Sequence, residues 1–350
     1  MKISINIVTY NAIHYIDECL RSVLNQTFQD FKIIVVDNAS ADGTLEHIKK
    51  NYPNITVLQN FKNLGFAKAN NQAIKFWDSE YVLLVNQDVI LQPEFLERIV
   101  KTADTHPRYG SFGGKVIKIN NESNNSETSG SKIIDTTGIT ASKARRFVDR
   151  GAGEQDTNKY NKQEMVFGIS GSLVLYRRSA LEEVKLRNNR ARESYKFAVS
   201  FEYFEYFDED FFMYKEDVDL AWRLQLAAWP ALYVPTAESS HHRSGFGHAK
   251  ANNLTTIRDR RRKSKIVNQY SFRNHWLMIL KNDYFSNWIL HLPWILFYEV
   301  KKFLYILFLE TFTLRTIGQV FILLPSALAK RRQIKKIRKI TARDIRPWFR

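Results

Sequence analysis

The first hundred residues alternate between two hydrophobic periods, and this alternation limits the possible folds more than any other feature. Apolar runs of strand length are each followed by a segment whose apolar residues recur every three or four positions, as on one helix face. The predicted strands cover residues 3–10, 31–37, 55–60 and 81–85. Strands that alternate with helices at this spacing form a mostly parallel sheet flanked by helices. The sequence therefore predicts an α/β fold.

Polar residues follow each of these four strands, at the point where each one ends. They are Thr9, Tyr10 and Asn11, residues 37–40, residues 60–65 and residues 86–88. Open sheets of this kind bind ligands outside the carboxyl ends of their strands. The three spaced glycines of a dinucleotide site do not follow the first strand, so a nicotinamide or flavin site is not expected.

The segment YVLLVNQDVIL (residues 81–91) interrupts an apolar run with Asn86, Gln87 and Asp88. A carboxylate at a strand end can hold a divalent cation that also contacts a diphosphate, because hard cations prefer oxygen ligands. A polar turn is the simpler alternative, since Asn and Asp are common in turns. By itself, Asp88 fits either interpretation.

Two later segments carry further candidate residues. Glu216, Asp217 and Asp219 fall in the first turn of a predicted helix, where the helix dipole favours acids and keeps a carboxylate ionised, as a general base requires. The dipole alone explains acids in general, but not three of them in four residues. His241 and His242 follow the predicted strand at residues 231–235 and could supply a metal ligand, although most such histidines are surface residues.

Taken together and in this order, the motifs resemble the family-2 inverting glycosyltransferases of the GT-A fold, and most closely their bacterial rhamnosyltransferase-like branch. The resemblance covers roughly residues 1–250, and its most specific part is the acidic motif in residues 207–224. The similar segments are VTYN (8–11), VDNASADGT (36–44), NLGFAKANNQA (63–73), LLVNQDV (83–89), GISGSLVLYRRSAL (168–181) and FDEDFFMYKEDVDLAWRL (207–224).

The resemblance implies a role for each matching residue. A nucleotide-sugar would be bound by Thr9, Asn11, Asp37, Asn63, Gly65 and Asn86. The family's usual Asp-x-Asp signature is here Asn86-Gln87-Asp88, which leaves Asp88 as a ligand of Mn²⁺ or Mg²⁺ and gives Gln87 no specific role. His241 would be a late metal ligand, with His242 as the alternative. Asp217 would be the catalytic base, with Glu216 beside it in the catalytic motif.

The same resemblance implies a reaction and its substrates. A carboxylate takes the proton of an acceptor hydroxyl as it attacks the anomeric carbon, and a divalent metal stabilises the departing nucleoside diphosphate. The branch suggests dTDP-L-rhamnose as donor and a lipid-linked or polysaccharide acceptor. A galactofuranosyl or N-acetylhexosaminyl donor is the alternative within the fold, and a membrane-bound binding protein without activity is the alternative outside it.

The charge of the chain is concentrated at its end. Residues 1–257 hold 31 basic and 31 acidic residues, whereas residues 258–350 hold 21 basic and 5 acidic residues, a net charge of +16. Apolar stretches at 288–298, 303–309 and 317–329 are interrupted by charges and are shorter than the roughly 20 residues of a spanning helix. Aromatic and basic residues mixed in this way suit the interface of an anionic membrane.

We therefore predict two domains, a catalytic domain over residues 1–257 and a helical membrane-associating region over residues 258–350. Three alternatives are open for the second: packing on the catalytic domain, a re-entrant hairpin, or nucleic-acid binding through residues 258–265. The neutral remainder of the chain argues against nucleic acid. Cys19 is the only cysteine, and the N-terminus has no sustained apolar segment, so the cytoplasmic face of the cell membrane is the expected location, with peripheral or monotopic attachment.

Two further segments stand outside the strand and helix pattern. Residues 119–132 are polar and of low complexity, which predicts a loop. Residues 185–207 are charged and aromatic, which we interpret as an insertion between two apolar strands.

Overall fold

The computed structural model describes residues 1–119, 132–188, 203–242, 260–261 and 263–350. Nearly all of the predicted polar loop and most of the predicted insertion lie outside these residues, as does part of the basic segment 258–265.

All the strands of the described residues lie in the N-terminal part of the chain, up to His241. Their bounds are β1 Ile3–Thr9, β2 Phe31–Asp37, β3 Thr56–Gln59, β4 Tyr81–Asn86, β5 Val89–Leu91, β6 Ser111–Lys118, β7 Ile133–Thr136, β8 Ile139–Ala141, β9 Phe147–Asp149, β10 Glu164–Val166, β11 Leu173–Arg177, β12 Leu186–Arg187, β13 Phe204–Glu205 and β14 Ala231–His241. The four strands predicted from the first hundred residues are β1 to β4.

Ten of these strands form one sheet, in the order β10-β14-β6-β11-β4-β1-β2-β3, with β5 beside β14 and β7 beside β6. β1 to β4 run parallel, as predicted, with Ile3 opposite both Phe31 and Tyr81. The prediction of a mostly parallel sheet is wrong for the whole, because β11 runs antiparallel to β4 and β6. The chain reaches β11 at the edge where β4 ends, so β11 has to run back across the sheet. The fold is α/β with a mixed sheet.

Helices cover both faces of the sheet and form most of the C-terminal region. Their bounds are α1 Ile16–Leu24, α2 Thr44–Asn51, α3 Gly65–Phe76, α4 Phe95–Thr105, α5 Arg178–Val184, α6 Glu216–Leu226, α7 Lys265–Asn282, α8 Phe285–Leu290, α9 Leu292–Leu309, α10 Arg315–Ile337 and α11 Ala342–Ile345. Alternate residues of a strand point to opposite faces. Accordingly, Leu83 packs in the core under α1 and α4, while its neighbour Leu84 packs in the core under α3, α5 and α6.

The C-terminal helices share a hydrophobic core with the strand-rich part of the chain. Leu277 of α7 and Ala327 of α10 belong to the same buried cluster as Trp222 of α6. The rings of Trp222 and Phe349 lie 5.4 Å apart between centroids. Of the open alternatives, packing on the strand-rich part of the chain is therefore what these residues do. The boundary at residue 257 stays a prediction, because residues 243–259 lie outside the described part of the chain.

Five charged residues form what we call the buried ion cluster: Glu205, Asp208, Asp219, Lys281 and Lys330, all almost fully buried. Lys330 Nζ lies 2.6 Å from Oε1 of Glu205 and also contacts the Asp208 carboxylate. Lys281 Nζ lies 2.8 Å from Oδ1 of Asp219 and also contacts Asp208. Since buried charges require partners, these acids fix α7 and α10 to the core.

Candidate active site

The carboxyl ends of β1 and β2 meet in a fully buried hydrogen bond. Thr9 Oγ1 donates to Oδ1 of Asp37 at 3.0 Å. The other oxygen, Oδ2 of Asp37, accepts from the Ser40 backbone N–H at 3.0 Å. Two of the predicted donor-binding residues, Thr9 and Asp37, are therefore in direct contact at the edge of the sheet where the sequence placed them.

Asn11 shapes the loop beside this pair. Its φ of 51° is left-handed, a region that Asn tolerates better than most residues. The Asn11 side-chain oxygen Oδ1 accepts from the Ala41 N–H at 2.9 Å, and its backbone N–H donates to the Ser40 hydroxyl at 3.0 Å. Asn11 thus joins the loops that follow β1 and β2.

Gln87, which the sequence left without a role, joins the ends of β1 and β4. Its Oε1 accepts from the Tyr10 N–H at 2.8 Å, and its Nε2 donates to the Tyr10 carbonyl at 3.4 Å. The pairing of β1 with β4 ends at Val8 and Asn86. Beyond that point, the Gln87 side chain takes the place of a strand partner by bonding both backbone groups of Tyr10. No signal in the sequence marks this partner, because the two residues are 77 positions apart.

Asn63 and Gly65 form a tight turn at the start of α3. Oδ1 of Asn63 accepts from the Gly65 N–H at 2.8 Å. Gly65 has a φ of +81°, and a Cβ there would lie 2.5 Å from both the ring and the carbonyl oxygen of Phe212. Only glycine fits this position, since a side chain would meet backbone atoms as well as suffer the left-handed φ.

Asp88 and His241 are 153 positions apart in sequence and adjacent in the structure. His241 Nε2 lies 3.1 Å from Oδ1 of Asp88, and its Nδ1 lies 2.9 Å from Oδ2 of Asp135. Burial lowers the pKa of His241, but the two carboxylates outweigh it and raise the pKa to about 9. Asp135, on β7, is a residue that the sequence reasoning missed. His242 instead faces Glu18, with its Nε2 3.0 Å from Oε2.

These donors fit a divalent metal that also binds a diphosphate. Carboxylate oxygen and imidazole nitrogen suit Mn²⁺, and a carboxylate on the far ring nitrogen is a common way to orient a histidine ligand. Nε2 of His241 has to lose its proton before it can bind a metal. Among the described residues, no group of three or more His, Cys, Asp or Glu side chains could hold a metal. Asp88 and His241 would thus leave several coordination positions to the ligand and water.

Asp217 lies in the first turn of α6 and is held by two backbone donors. Its Oδ2 accepts from the Gly171 N–H at 3.0 Å, and its Oδ1 accepts from the Val218 N–H at 2.7 Å. Burial raises the pKa of Asp217, the Gly171 hydrogen bond lowers it and the nearby Asp149 carboxylate raises it, with a net increase. Asp149, on β9, is a second residue that the sequence did not suggest.

The two neighbouring acids differ from Asp217. Glu216 is buried, which together with the charge of Asp217 raises its pKa to about 8. Its Oε2 has no hydrogen-bond partner among the described residues. Asp219 pairs with Arg223 Nε at 3.0 Å and belongs to the buried ion cluster. The acidic motif therefore contains one carboxylate with a structural role, Asp219, and two that differ in hydrogen bonding.

The turn before α6 is strained. Phe212, Tyr214 and Lys215 have φ values of 62°, 69° and 72°. Left-handed non-glycine residues cost on the order of 1–3 kcal/mol each unless their surroundings hold them. The Phe212 ring stacks on Tyr270 of α7, with centroids 5.1 Å apart, and the Phe212 carbonyl accepts from the Ala67 N–H at 3.2 Å.

The loop before β11 links the end of β4, which precedes Asp88, to Asp217. The Asn86 N–H donates to the Ser172 carbonyl at 2.8 Å, and Gly171 donates to Asp217. A Cβ at Gly171 would lie 3.1 Å from Cβ of Asp217, so the loop approaches α6 closely. The structure thus brings the ends of β1, β2 and β4 and the start of α6 to one side of the sheet. This arrangement presents the half-buried Asp217 carboxylate beside the polar strand ends.

Comparison with known proteins agrees with this geometry. The profile of the family described as "Glycosyl transferase family 2" matches residues 4–185, just over half of the chain. An N-acetylglucosaminyl-diphospho-decaprenol L-rhamnosyltransferase of Mycobacterium tuberculosis is 28% identical over 266 residues, which cover 68% of this chain and 75% of that protein. The poly(ribitol-phosphate) beta-N-acetylglucosaminyltransferase TarS of Staphylococcus aureus is 37% identical over 111 residues, which cover 30% and 19%.

Among solved structures, GalNAc-T7 with UDP, GalNAc and Mn²⁺ aligns with a TM-score of 0.52 at 11% identity. The alignment covers 80% of this chain and 48% of that one. At this identity the similarity concerns the fold alone. The expected GT-A type of α/β fold is confirmed, with the correction that its sheet is mixed.

Proposed function

Because the chain belongs to glycosyl transferase family 2, we propose that it is an inverting glycosyltransferase that moves L-rhamnose from dTDP-L-rhamnose to a lipid-linked or polysaccharide acceptor. The observation that carries the proposal is the Asp217 carboxylate, which two backbone N–H groups hold at a helix start beside the strand ends. Family membership supports sugar transfer in general, and the similarity to the mycobacterial rhamnosyltransferase supports this donor.

Asp217 acts as the general base. A burial-raised pKa makes its carboxylate a stronger base than an exposed aspartate. As the acceptor hydroxyl attacks the anomeric carbon, its proton passes to Asp217 and the bond from that carbon to the diphosphate oxygen breaks. Attack from the side opposite the leaving group inverts the anomeric centre. The hydrogen bonds from Gly171 and Val218 fix the orientation of the carboxylate during this transfer.

Asp88 and His241 would hold a Mn²⁺ or Mg²⁺ ion, which when bound offsets the negative charge that develops on the leaving diphosphate. Asp135 orients His241 through Nδ1. Thr9, Asn11, Asp37, Asn63, Gly65 and Asn86 line the nucleotide-sugar side, either directly or by shaping its loops. Glu216 lies beside Asp217 in the same catalytic motif, at the start of α6.

Asp217→Asn tests the base. Asn keeps an oxygen that can accept from Gly171 but cannot take a proton, so donor binding should persist while transfer falls by at least two orders of magnitude. Asp17→Asn is the control, because Asp17 also lies in the first turn of a helix, α1, and its carboxylate contacts Tyr52 and Arg21. Near-normal turnover in Asp217→Asn would remove this residue from its role.

A panel of nucleotide-sugars tests the donor. Binding of dTDP-L-rhamnose should be tightest, and Mn²⁺ or Mg²⁺ should strengthen it. An N-acetylhexosaminyl donor is the rival suggested by the similarity to TarS, and a galactofuranosyl donor is the second rival. If no donor of the panel binds with or without metal, the transferase proposal fails, and the alternative of a membrane-bound binding protein without activity is favoured.

We further propose that the C-terminal helices attach the protein to the cytoplasmic face of an anionic membrane. Large apolar side chains of α8, α9 and α10 are exposed, with 74% of Phe297, 73% of Phe308 and 69% of Ile322 accessible. Soluble monomers rarely expose many such residues side by side. One helical segment of the described chain, Thr311–Ile337, is long and apolar enough to cross a membrane. The charge of +16 over residues 258–350 favours anionic lipid over an apolar protein partner.

Flotation with phosphatidylglycerol vesicles tests this attachment. Phe297→Asp with Phe308→Asp should abolish flotation, because two charges would enter the apolar layer. Met165→Asp is the matched control, since Met165 is 54% exposed on β10, in the strand-rich part of the chain. In a retention assay at moderate salt, the protein should not hold nucleic acid. Tight sequence-independent nucleic-acid binding without lipid binding would contradict the proposal.

A further inference from the structure

The side chain of Asn274, in α7, contacts the strained turn that precedes α6. Its Nδ2 donates to the carbonyl oxygens of Phe211, Met213 and Tyr214, at 2.8, 2.9 and 2.8 Å. An amide nitrogen has two hydrogens, so three carbonyls share them. Asn274 is fully buried, and water therefore does not replace these bonds.

Arg273 fixes the orientation of this amide. Its Nε donates to Oδ1 of Asn274 at 3.0 Å, which leaves Nδ2 to face the turn. Its Nη2 donates to the carbonyls of Asp210 and Phe211 at 2.6 and 3.1 Å. Neighbouring residues of one C-terminal helix thus bind the backbone of residues 210–214 at four carbonyl groups.

These bonds hold a conformation that the turn would not keep alone. The left-handed backbone at Phe212, Tyr214 and Lys215 points the carbonyls of the turn toward α7, where Asn274 and Arg273 are their donors. Without the amide, the carbonyls of Met213 and Tyr214 would lose this donor, whereas Phe211 would keep Arg273, and the turn could then relax its φ and ψ angles. Asp217 follows the last strained residue by two positions, so it would move with the turn.

We propose that Asn274 is a positioning residue for sugar transfer: it locks turn 211–215 so that Asp217 meets the acceptor hydroxyl. The inference rests on the proposed role of Asp217 as base. The C-terminal region then has a part in the chemistry besides membrane attachment, since α7 carries Asn274. The same helix carries Lys281 of the buried ion cluster, which fixes it to the core.

Asn274→Ala and Asn274→Ser test the proposal, with Asn268→Ala as the matched control. Asn268 is a buried asparagine of the same helix whose Nδ2 donates to the Arg260 carbonyl at 2.9 Å, away from the turn. Misplacement of a reacting group by about 1 Å can cost on the order of 100-fold in rate. We expect kcat with dTDP-L-rhamnose to fall by about 10- to 100-fold in Asn274→Ala and less in Asn274→Ser, which keeps one donor. KM for the donor should change less than kcat.

Hydrogen exchange of the turn gives a readout that needs no substrate. The backbone amides of residues 211–218 should exchange faster in both Asn274 variants than in wild type and in Asn268→Ala. The comparison uses variants that melt at the same temperature, so that a difference in global stability does not explain it. If Asn274→Ala does not fold, Asn274→Ser carries the test. Unchanged exchange, or a kcat within twofold of wild type, would overturn the proposal. If Asp217→Asn keeps its turnover, the role of the base fails, whereas faster exchange in the Asn274 variants still supports the lock.

Discussion

Glu216 makes the folded protein less stable as pH rises, and the size of the effect follows from its burial. Its pKa is about 8 in the folded chain against 4.5 for an ordinary glutamate, because burial and the charge of Asp217 disfavour its ionised form. Below pH 4.5 the carboxyl group is protonated in both states and costs nothing. Between pH 4.5 and 8 the unfolded chain releases the proton and the folded chain keeps it, so stability falls by about 1.4 kcal/mol per pH unit.

The change from pH 5 to pH 8 amounts to about 3 to 4 kcal/mol. Gln is neutral at both pH values, so Glu216→Gln should remove this loss. Its melting temperature, relative to wild type, should therefore be about 6 °C higher at pH 8 than at pH 5, from roughly 2 °C per kcal/mol in a protein of this size. Tryptophan fluorescence during heating at the two pH values measures the difference.

Glu183→Gln is the control for this experiment. Burial raises the pKa of Glu183, but hydrogen bonds from Lys339 and Trp229 outweigh it and lower the pKa below 4.5. Glu183 is therefore ionised at both pH 5 and pH 8, and Glu183→Gln should change the melting temperature equally at both. An equal offset for Glu216→Gln at the two pH values would refute the assignment of Glu216 as a carboxyl group that is protonated near neutral pH.

Three further perturbations follow from contacts in the structure. Lys330→Met should destabilise the fold by about 3–5 kcal/mol, measured by chemical denaturation, because it removes the buried cation that Glu205 and Asp208 share; an unchanged midpoint would contradict this. Asp135→Asn should raise the Mn²⁺ concentration for half-maximal transfer by about 10- to 100-fold, since His241 loses its orienting carboxylate; a titration that overlays wild type would exclude that role. Gly65→Ala should weaken nucleotide binding in calorimetry, because its Cβ would meet Phe212 at 2.5 Å, and an unchanged Kd would show that the turn adapts.

The polar residues at the carboxyl ends of β1 to β4, which we propose bind the nucleotide-sugar, could largely be predicted from the sequence. Hydrophobic period identifies β1 to β4. The helix after each strand returns the chain to the edge where that strand began, which makes the four strands parallel, so the polar residues after each strand have to gather at one edge. Thr9 and Asp37 meet there as that reasoning requires. Their predicted roles toward a nucleotide-sugar stay predictions.

The cluster of Asp88, His241 and Asp135 could be predicted only in part. The sequence suggested Asp88 and His241 separately, and the structure places them 3.1 Å apart. Asp135 has no sequence signal, because it lies on a short strand that pairs with β6 and its partner is 106 positions away. Their proposed role as ligands awaits the metal titration.

The C-terminal region was the least predictable part. Its composition predicts a basic, aromatic and helical region. Such a region could bind a membrane surface, pack as a soluble helical bundle or bind nucleic acid. Lys281 and Lys330 look like two more cations in a basic tail, whereas the structure buries both against acids of the motif around residue 208. Charge counts along a chain cannot distinguish a paired buried lysine from a solvated one.

The sequence by itself determined the α/β class, the edge of the sheet that carries the polar residues and the identity of the acids at the start of α6, because these depend on local period, chirality and helix-end electrostatics. Only the tertiary structure decided that β11 runs antiparallel, that Asp219 is structural while Asp217 is held by Gly171, and that Asn274 braces the turn before them. The physical reason is the same in each case: a hydrogen bond or ion pair between distant residues depends on how whole elements pack, and that packing leaves no periodic trace in the sequence.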